Sequence, residues 1–414
     1  MNRIEEWMNS RIGLNFRSGL GRMQQAVKLL GNPHEAVPMI HVTGTNGKGS
    51  TIAFMRQLFQ QHGLKVGTFT SPHIVSMHDR ICINGQPISD QDLIRLGQRI
   101  QEMESQLLET HDQLSYFEII TLLAFLYFHE QEVDLALIEV GIGGLLDTTN
   151  VITGEVAVIT SVGLDHQETL GGSLEAIAAQ KAGIFKAGKP AVIGPLAEEA
   201  ERVCIEEAKA TGCSLARYGD DFQLVKGVFQ DARHRFDSLK VGLNGAYQEE
   251  NAAVALEAFL LFMERRGKQV DENCVREALQ ATSWPGRLES FGQGVYLDGA
   301  HNPHAIHRLV EYARTFSDKR VKILFGALKR KDYKGMLEIF SRDLPEADLT
   351  VTTFAYGDVQ EADGLGYPYV ADFRDYLQDY YSRQDGQELL FVTGSLYFIS
   401  EVRAYLLEQG KNPL

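Results

Sequence analysis

Three glycines and a lysine behind an apolar run are the sharpest chemical signal in this chain. Pro38-Met-Ile-His-Val-Thr-Gly-Thr-Asn-Gly-Lys-Gly-Ser-Thr51 reads as a strand, a glycine-rich turn and a helix starting near Ser50. Gly44, Gly47 and Gly49 let the backbone turn tightly and approach a phosphate chain with no Cβ in the way. The helix N-terminus adds unpaired N–H groups and the positive end of a dipole. Lys48 can neutralise β/γ-phosphate charge, and the Ser50 hydroxyl can reach a Mg²⁺ ion. The strict G-x-x-x-x-G-K-[ST] spacing is not met, because Gly49 separates Lys48 from Ser50 and Gly44 lies too close. The alternative is an ordinary strand-to-helix turn with an incidental lysine. With Thr45 and Asn46 completing the loop, residues 44–50 are expected to bind nucleotide.

Phosphoryl transfer also needs metal ligands at the C-terminal ends of neighbouring strands, where open α/β sheets place their sites. Ser71 follows the apolar run 66–70 and offers a hydroxyl. Glu139 is an acid inside the apolar run Leu135-Ala-Leu-Ile-Glu-Val140. A buried carboxylate is costly unless paired or metal-bound, so it is a metal ligand or half of a structural ion pair. Gly141-Ile-Gly-Gly144 lacks the full G-x-G-x-x-G and reads as a close-approach turn beside another ligand. His166, closing Ile159-Thr-Ser-Val-Gly-Leu-Asp-His166, could ligate a second metal with Asp165 orienting it, although a lone strand-end histidine is more often simply hydrogen-bonded. Lys181, in Gln180-Lys-Ala-Gly-Ile-Phe185, is in isolation only a helix lysine. Further on, Asp298 in Val295-Tyr-Leu-Asp-Gly-Ala-His-Asn-Pro303 is placed to accept from a ribose hydroxyl or to fix a ligand amine. His301, His304 and His307 are spaced i, i+3, i+6, but the Asn302-Pro303 break sets His301 outside the helix and disfavours a three-histidine metal site. Arg287 could swing toward a triphosphate on domain closure.

The elements that must position these residues alternate. Short apolar runs at 38–42, 66–70, 135–140, 156–160 and 191–194 read as buried parallel strands. Helical patterns at 51–62, 93–108, 117–129 and 173–182 lie between them. Alternation resumes with strands at 294–298, 321–326, 349–354 and 388–393, and helices at 303–316 and 373–381. The fold class expected is α/β: a large P-loop-containing doubly wound sheet domain plus a smaller Rossmann-like α/β domain. Pro/Gly punctuation around Trp284-Pro-Gly-Arg287 sets the boundaries at 1–285, a hinge at 286–294, and 295–414.

The whole chain limits the partners. It has 414 residues, with 40 Lys+Arg against 55 Asp+Glu and a formal charge of −15. Hydrophobic residues at 44% and only 11 prolines exclude disordered and collagenous classes. The acidic balance argues against nucleic-acid binding, so an anionic ligand must be held by local cations and backbone N–H groups. Cys82, Cys204, Cys213 and Cys274 lack metal spacing and read as reduced thiols. The apolar run near 117–128, interrupted by Glu118 and Thr121, falls short of the roughly 20 residues of a membrane span. With no N-terminal signal visible, a cytoplasmic protein without membrane partners is expected.

Together these segments resemble the folylpolyglutamate synthase / dihydrofolate synthase family of Mur-type ATP-dependent amide ligases. The markers, in order, are Gly19-Leu-Gly-Arg-Met23, His41-Val-Thr-Gly-Thr-Asn-Gly-Lys-Gly-Ser50, Thr70-Ser-Pro-His73, Tyr116-Phe-Glu118, Asp147-Thr-Thr-Asn150, Thr160-Ser-Val-Gly-Leu-Asp-His166, Lys181-Ala-Gly183, Trp284-Pro-Gly-Arg287, Leu297-Asp-Gly-Ala-His-Asn302 and Thr393-Gly-Ser-Leu396. The resemblance implies an enzyme that joins L-glutamate to a folate carboxylate through an acyl phosphate, with dihydropteroate as a further acceptor. It implies ATP and two Mg²⁺ sites, with Ser50 and Ser71 at the first and Glu139 and His166 at the second. A monovalent cation would be an additional requirement, and the enzyme a monomer. Lys181 matches a lysine carried as a carbamate, so Lys48, His166 and Lys181 become the catalytic candidates. Asn251, Arg287, Asp298 and His301 match nucleotide-contacting positions. Ser115, Tyr116, Phe117, Glu118, Leu146, Asp147 and Thr148 match the pterin or folate pocket. Two departures, Leu145 where relatives often carry Arg and His78-Asp79 where many carry Asn-Glu, bear on the acceptor preferred. The competing expectation is a P-loop NTPase or a ligase-like binding protein without folate activity; the Asn-Lys-x-Asp motif of a GTPase is absent.

Overall fold

The computed structural model describes residues 3–13, 19–74, 76–360, 366–383 and 385–414. Packing divides the chain into two units, Met1–Val241 with Glu249–Thr282, and Gly242–Gln248 with Ser283–Leu414.

The first unit is built on eight strands: β1 (Met39–Thr43), β2 (Val66–Phe69), β3 (Ile81–Ile83), β4 (Gln86–Pro87), β5 (Leu135–Glu139), β6 (Val156–Ile159), β7 (Pro190–Ile193) and β8 (Ser214–Arg217). Their order is β4-β3-β2-β5-β1-β6-β7-β8. All neighbours pair in parallel except β2–β3 and β3–β4. β1 and β5 are buried along their whole length, which is why their sequences are apolar without alternation. The chain runs outward in both directions from β1, so the ends of β1, β5 and β6 meet at a topological switch point.

Helices cover both faces. On one side α1 (Arg3–Asn9), α2 (Gly21–Leu29), α4 (Asp90–Leu107) and α5 (Tyr116–Glu130) share a core with β2 and β5, while α3 (Lys48–Gln61) follows the glycine loop. α5 is buried from Glu118 to Phe128, which accounts for the longest apolar run of the sequence. Farther along the same face, α7 (Leu174–Ala182) and α8 (Glu198–Thr211), which follow the short α6 (Gln167–Leu170), pack with β6 and β7, because Ala157 stands level with Ile138 in the ladder. A three-stranded antiparallel sheet, β9 (Gln223–Val225), β10 (Val228–Gln230) and β11 (Arg235–Phe236), follows; its strands are too short and polar to stand out in sequence. α9 (Tyr247–Arg265) and α10 (Glu272–Ala281) complete the unit, with Phe259 and Phe262 of α9 edge-on to Phe59 of α3.

The second unit carries β12 (Glu289–Ser290), β13 (Val295–Leu297), β14 (Arg320–Phe325), β15 (Asp348–Thr352), β16 (Tyr369–Val370) and β17 (Glu388–Thr393) in the order β12-β13-β17-β14-β15-β16. The pairs are parallel except β12–β13. α11 (Pro303–Ala313) and α12 (Tyr333–Asp343) cover one face, and α13 (Phe373–Arg383) and α14 (Leu396–Glu408) the other. The segment 286–294, expected as the hinge, contributes β12 to this sheet and is held by Arg403 Nε on both Glu289 oxygens at 3.0 Å. The division between units falls at Ser283, and residues 242–248 also join the second unit. Among the described residues no helix is long and apolar enough to cross a membrane.

Candidate active site

The glycine loop leaves β1 and enters α3 at Lys48, two residues before the expected helix start, because Gly47 at φ +88° turns the chain directly into the helix. Gly47 cannot carry a side chain, since a Cβ would collide with the Asn251 amide oxygen. A Cβ at Gly44 would collide with the Thr160 hydroxyl. The segment after β6 clamps the loop. Thr45 N–H donates to the Ser161 carbonyl at 3.0 Å and Asn46 N–H to Ser161 Oγ at 2.9 Å. The Thr160 and Ser161 hydroxyls both donate to the Asn46 carbonyl, at 2.5 and 3.0 Å. Thr45 Oγ1 bridges to Gly163, accepting from its N–H at 2.9 Å. Gly49 and Ser50 are buried in the first turn of α3, and Asn251 is buried on α9.

Lys48 Nζ donates to the Gly44 carbonyl at 2.8 Å and to the Thr45 carbonyl at 3.4 Å. It lies 4.0 Å from Glu139 Oε1. Glu139 ends β5, is buried, and accepts the Ser71 N–H at 3.0 Å. The three sequence candidates Lys48, Glu139 and Ser71 are thus brought together at the switch point. Lys181, near the end of α7, is buried, and its amine is pushed down to about 7 by burial and then by the charge of Lys48, against the pull of Asp165 and Asp147. His166 stands in the left-handed region at φ +52° as the N-cap of α6. Its N–H donates to Asp165 Oδ1 at 2.9 Å, while its ring Nε2 is 4.0 Å from that oxygen.

The 141–150 turn runs beside this cluster, and what it approaches closely is α7. A Cβ at Gly144 would press on the Gln180 and Lys181 carbonyls, and Leu145 N–H donates to Gln180 O at 2.7 Å. Asn150 Nδ2 ties Leu145 O to Gly183 O at 3.0 and 3.1 Å. Asp147 is buried and accepts from the Ile142 and Thr149 amides, both at 3.0 Å. Burial raises its pKa against those hydrogen bonds. Leu146 is exposed, and Thr148 Oγ1 lies 3.3 Å from Thr121 Oγ1 of α5. At the start of α5, Ser115 and Glu118 form a capping box, and Arg22 Nε donates to both Glu118 oxygens at 2.9 and 3.0 Å, with its Nη2 2.8 Å from Oε1. Tyr116 faces the Arg80 guanidinium at 5.8 Å, and Phe117 lies 5.8 Å from Phe69.

In the second unit Asp298 is buried beside Arg287, and its oxygens accept the Leu288 and Ala300 amides at 3.0 and 2.9 Å. His301 Nδ1 pairs with the Gly299 carbonyl at 2.7 Å, and Asn302 caps α11. Among the described residues, one group of three His, Cys, Asp or Glu side chains lies within mutual ligand reach, Glu5 with His78 and Asp90, so His301, His304 and His307 do not converge.

Sequence reasoning assigned no role to Thr160, Ser161, Arg22, Arg80, His41 or Thr149. All but Arg80 lay inside the family markers, and a hydroxyl pair after a strand was the available signal for the clamp. Arg80 also donates to His73 Nδ1 at 3.1 Å, and burial followed by this cation pushes His73 down to about 4.

Comparison with known proteins converges on one family. The Mur ligase middle domain matches residues 42–259, and the Mur ligase glutamate ligase domain matches residues 286–396. The chain is 35% identical to a dihydrofolate synthase/folylpolyglutamate synthase of Bacillus subtilis, over 97% of each chain. It is 34% identical to a folylpolyglutamate synthase of Lacticaseibacillus casei, over 93% of this chain and 94% of the relative. Its fold superposes on the apo form of L. casei FPGS with a TM-score of 0.88 at 32% identity, covering 98% of this chain and 100% of the other. An FPGS–AMPPCP–folate complex gives 0.87 at 32% identity, with the same coverage. E. coli FolC in complex with DHPP and ADP also gives 0.87, at 27% identity over 99% of each chain.

Proposed function

This chain belongs to the Mur ligase family, on its folylpolyglutamate/dihydrofolate synthase branch, and from that premise we propose the ATP-dependent joining of L-glutamate to a folate carboxylate. The observation that carries this is the convergence of the glycine loop, Lys48, buried Glu139 and buried Lys181 at the switch point of the first sheet.

In the proposed reaction the loop amides and Lys48 hold the β- and γ-phosphates of ATP, with Asn251, Arg287, Asp298 and His301 as further nucleotide contacts. The acceptor carboxylate attacks the γ-phosphorus, ADP leaves, and an acyl phosphate forms. Positioning and charge neutralisation are the terms that dominate such a transfer. The neutral amine of glutamate then attacks the acyl carbon, inorganic phosphate leaves, and an amide bond remains. Ser50, Ser71, Glu139 and His166 would hold Mg²⁺; the buried carboxylate and the hydroxyls are the oxygen donors that suit this hard ion, and the imidazole is the softer member of the set. Bound there, it supplies charge neutralisation between phosphate and carboxylate. Lys181, held near neutrality by burial, is the side chain set to take up CO₂ as a carbamate, since only an uncharged amine is nucleophilic. Residues 115–118 and 146–148 face the pterin-bearing acceptor. The enzyme acts as a cytoplasmic monomer.

ADP release measured with Mg-ATP and L-glutamate, adding tetrahydrofolate or dihydropteroate in turn, tests this. Release that needs both glutamate and one of the acceptors is expected. Release with neither present would point to an NTPase instead.

A further inference from the structure

We propose that His41 and Thr149 are positioning residues for the acceptor side of the site, fixing the buried Asp147 carboxylate around which the 141–150 turn is wrapped. This role rests on the assignment of that turn to the acceptor.

His41 is fully buried in β1, two residues before Thr43. Its Nε2 lies 2.8 Å from Thr149 Oγ1, and the Thr149 hydroxyl lies 2.5 Å from Asp147 Oδ1. Thr149 has one proton to give, and two acceptors adjoin it. An Asp147 carboxylate that also accepts the Ile142 and Thr149 amides is the stronger claimant. Thr149 then accepts from His41, so the ring carries its proton on Nε2. His41 Nδ1 is buried without a partner among the described residues. A bare ring nitrogen there is tolerated better than an orphaned N–H would be. The same cost keeps the ring neutral: burial, and then the Lys186 charge, push His41 down to about 3.

The relay matters because of where its ends lie. Thr43 Oγ1 donates to the Gly143 carbonyl at 2.6 Å, so β1 holds the turn at two points. The same strand delivers Gly44 and the nucleotide loop. One strand therefore aligns both reacting groups, the phosphate through its end and the acceptor through His41, Thr149 and Asp147.

The test compares Thr149→Val, which keeps the shape and removes the hydroxyl, with Thr149→Ser, which keeps the hydroxyl. Steady-state kinetics of the valine variant should show KM for the folate acceptor raised about ten-fold or more, with KM for ATP unchanged. The serine variant should restore the acceptor KM. Simple destabilisation would lower the active fraction, hence apparent kcat, and leave both KM values alone; that result overturns the proposal, as does a parallel rise of both. A wild-type enzyme that ligates glutamate to no folate acceptor would bring down the functional assignment itself. An active wild type with an unmoved valine variant would overturn the positioning role alone. Nitrogen-15 NMR of histidine-labelled wild-type enzyme supplies a measurement independent of any variant. A neutral His41 ring protonated at Nε2 is expected, and a proton on Nδ1 would refute the relay.

Discussion

Lys48 and Lys181 share a neighbourhood that treats them differently. Lys48 caps loop carbonyls and faces Glu139, while Lys181 is buried and loses much of its hold on a proton. Replacing Lys48 by Ala should abolish glutamate-dependent ADP release while thermal unfolding stays cooperative; near-normal turnover would remove Lys48 from the chemistry. A second residue-scale consequence concerns stability. Burial and then Asp231 push the Glu257 carboxyl on α9 up to about 8, from an ordinary 4.5. The folded state therefore binds a proton that the unfolded state has lost. The stability this group contributes is complete below the unfolded value and declines as pH rises from there through the folded value. Glu257→Gln should flatten that decline, by at most about 1.4 kcal/mol per pH unit, in denaturant titrations at about pH 5 and about pH 8. A wild type and a variant with parallel profiles would show that Glu257 ionises normally.

At the scale of elements, the glycine loop illustrates what is legible in a sequence. Its strand, turn and helix are consecutive, so residues 38–51 announce it, and Glu139 betrays itself as one charge in an apolar run. Contacts that join distant segments leave no such trace. His41 meets Thr149 across 108 positions, Asn46 meets Ser161 across 115, and Arg22 meets Glu118 across 96. Pro and Gly around residues 284–294 mark turns without saying what the turns join, so the short strand β12 within that segment left no trace in the sequence. The loop also yields a prediction. Gly47→Ala must accommodate a left-handed backbone, costing about 1–2 kcal/mol, and displace Asn251. Calorimetric titration should show much weaker binding of a non-hydrolysable ATP analogue. Gly63→Ala, at φ +77° with open space around it, is the control and should leave nucleotide affinity intact. Equal affinity in wild type and Gly47→Ala would mean that the loop does not contact phosphate.

For the whole molecule, a formal charge of −15 faces substrates that are themselves anions. Long-range fields then oppose encounter, so on the proposed reading binding is expected to depend on Lys48, the loop amides and a divalent cation. Chelation with EDTA should stop turnover, and added Mg²⁺ should restore it. Raising ionic strength should leave the association rate of the acceptor unchanged or increase it, since salt screens a repulsive surface. A steep fall with salt would reveal a cationic steering patch that the composition does not advertise. Both units read from sequence as α/β, and membership of the Mur ligase family agrees with each of them. The central chemical claim is that the acceptor carboxylate takes the γ-phosphoryl group before glutamate attacks. A folate acceptor labelled with oxygen-18 in its carboxylate, turned over with ATP and L-glutamate, tests it most directly. Mass spectrometry of the released inorganic phosphate should find an oxygen from that carboxylate; phosphate carrying only oxygen from water and ATP would contradict the acyl phosphate.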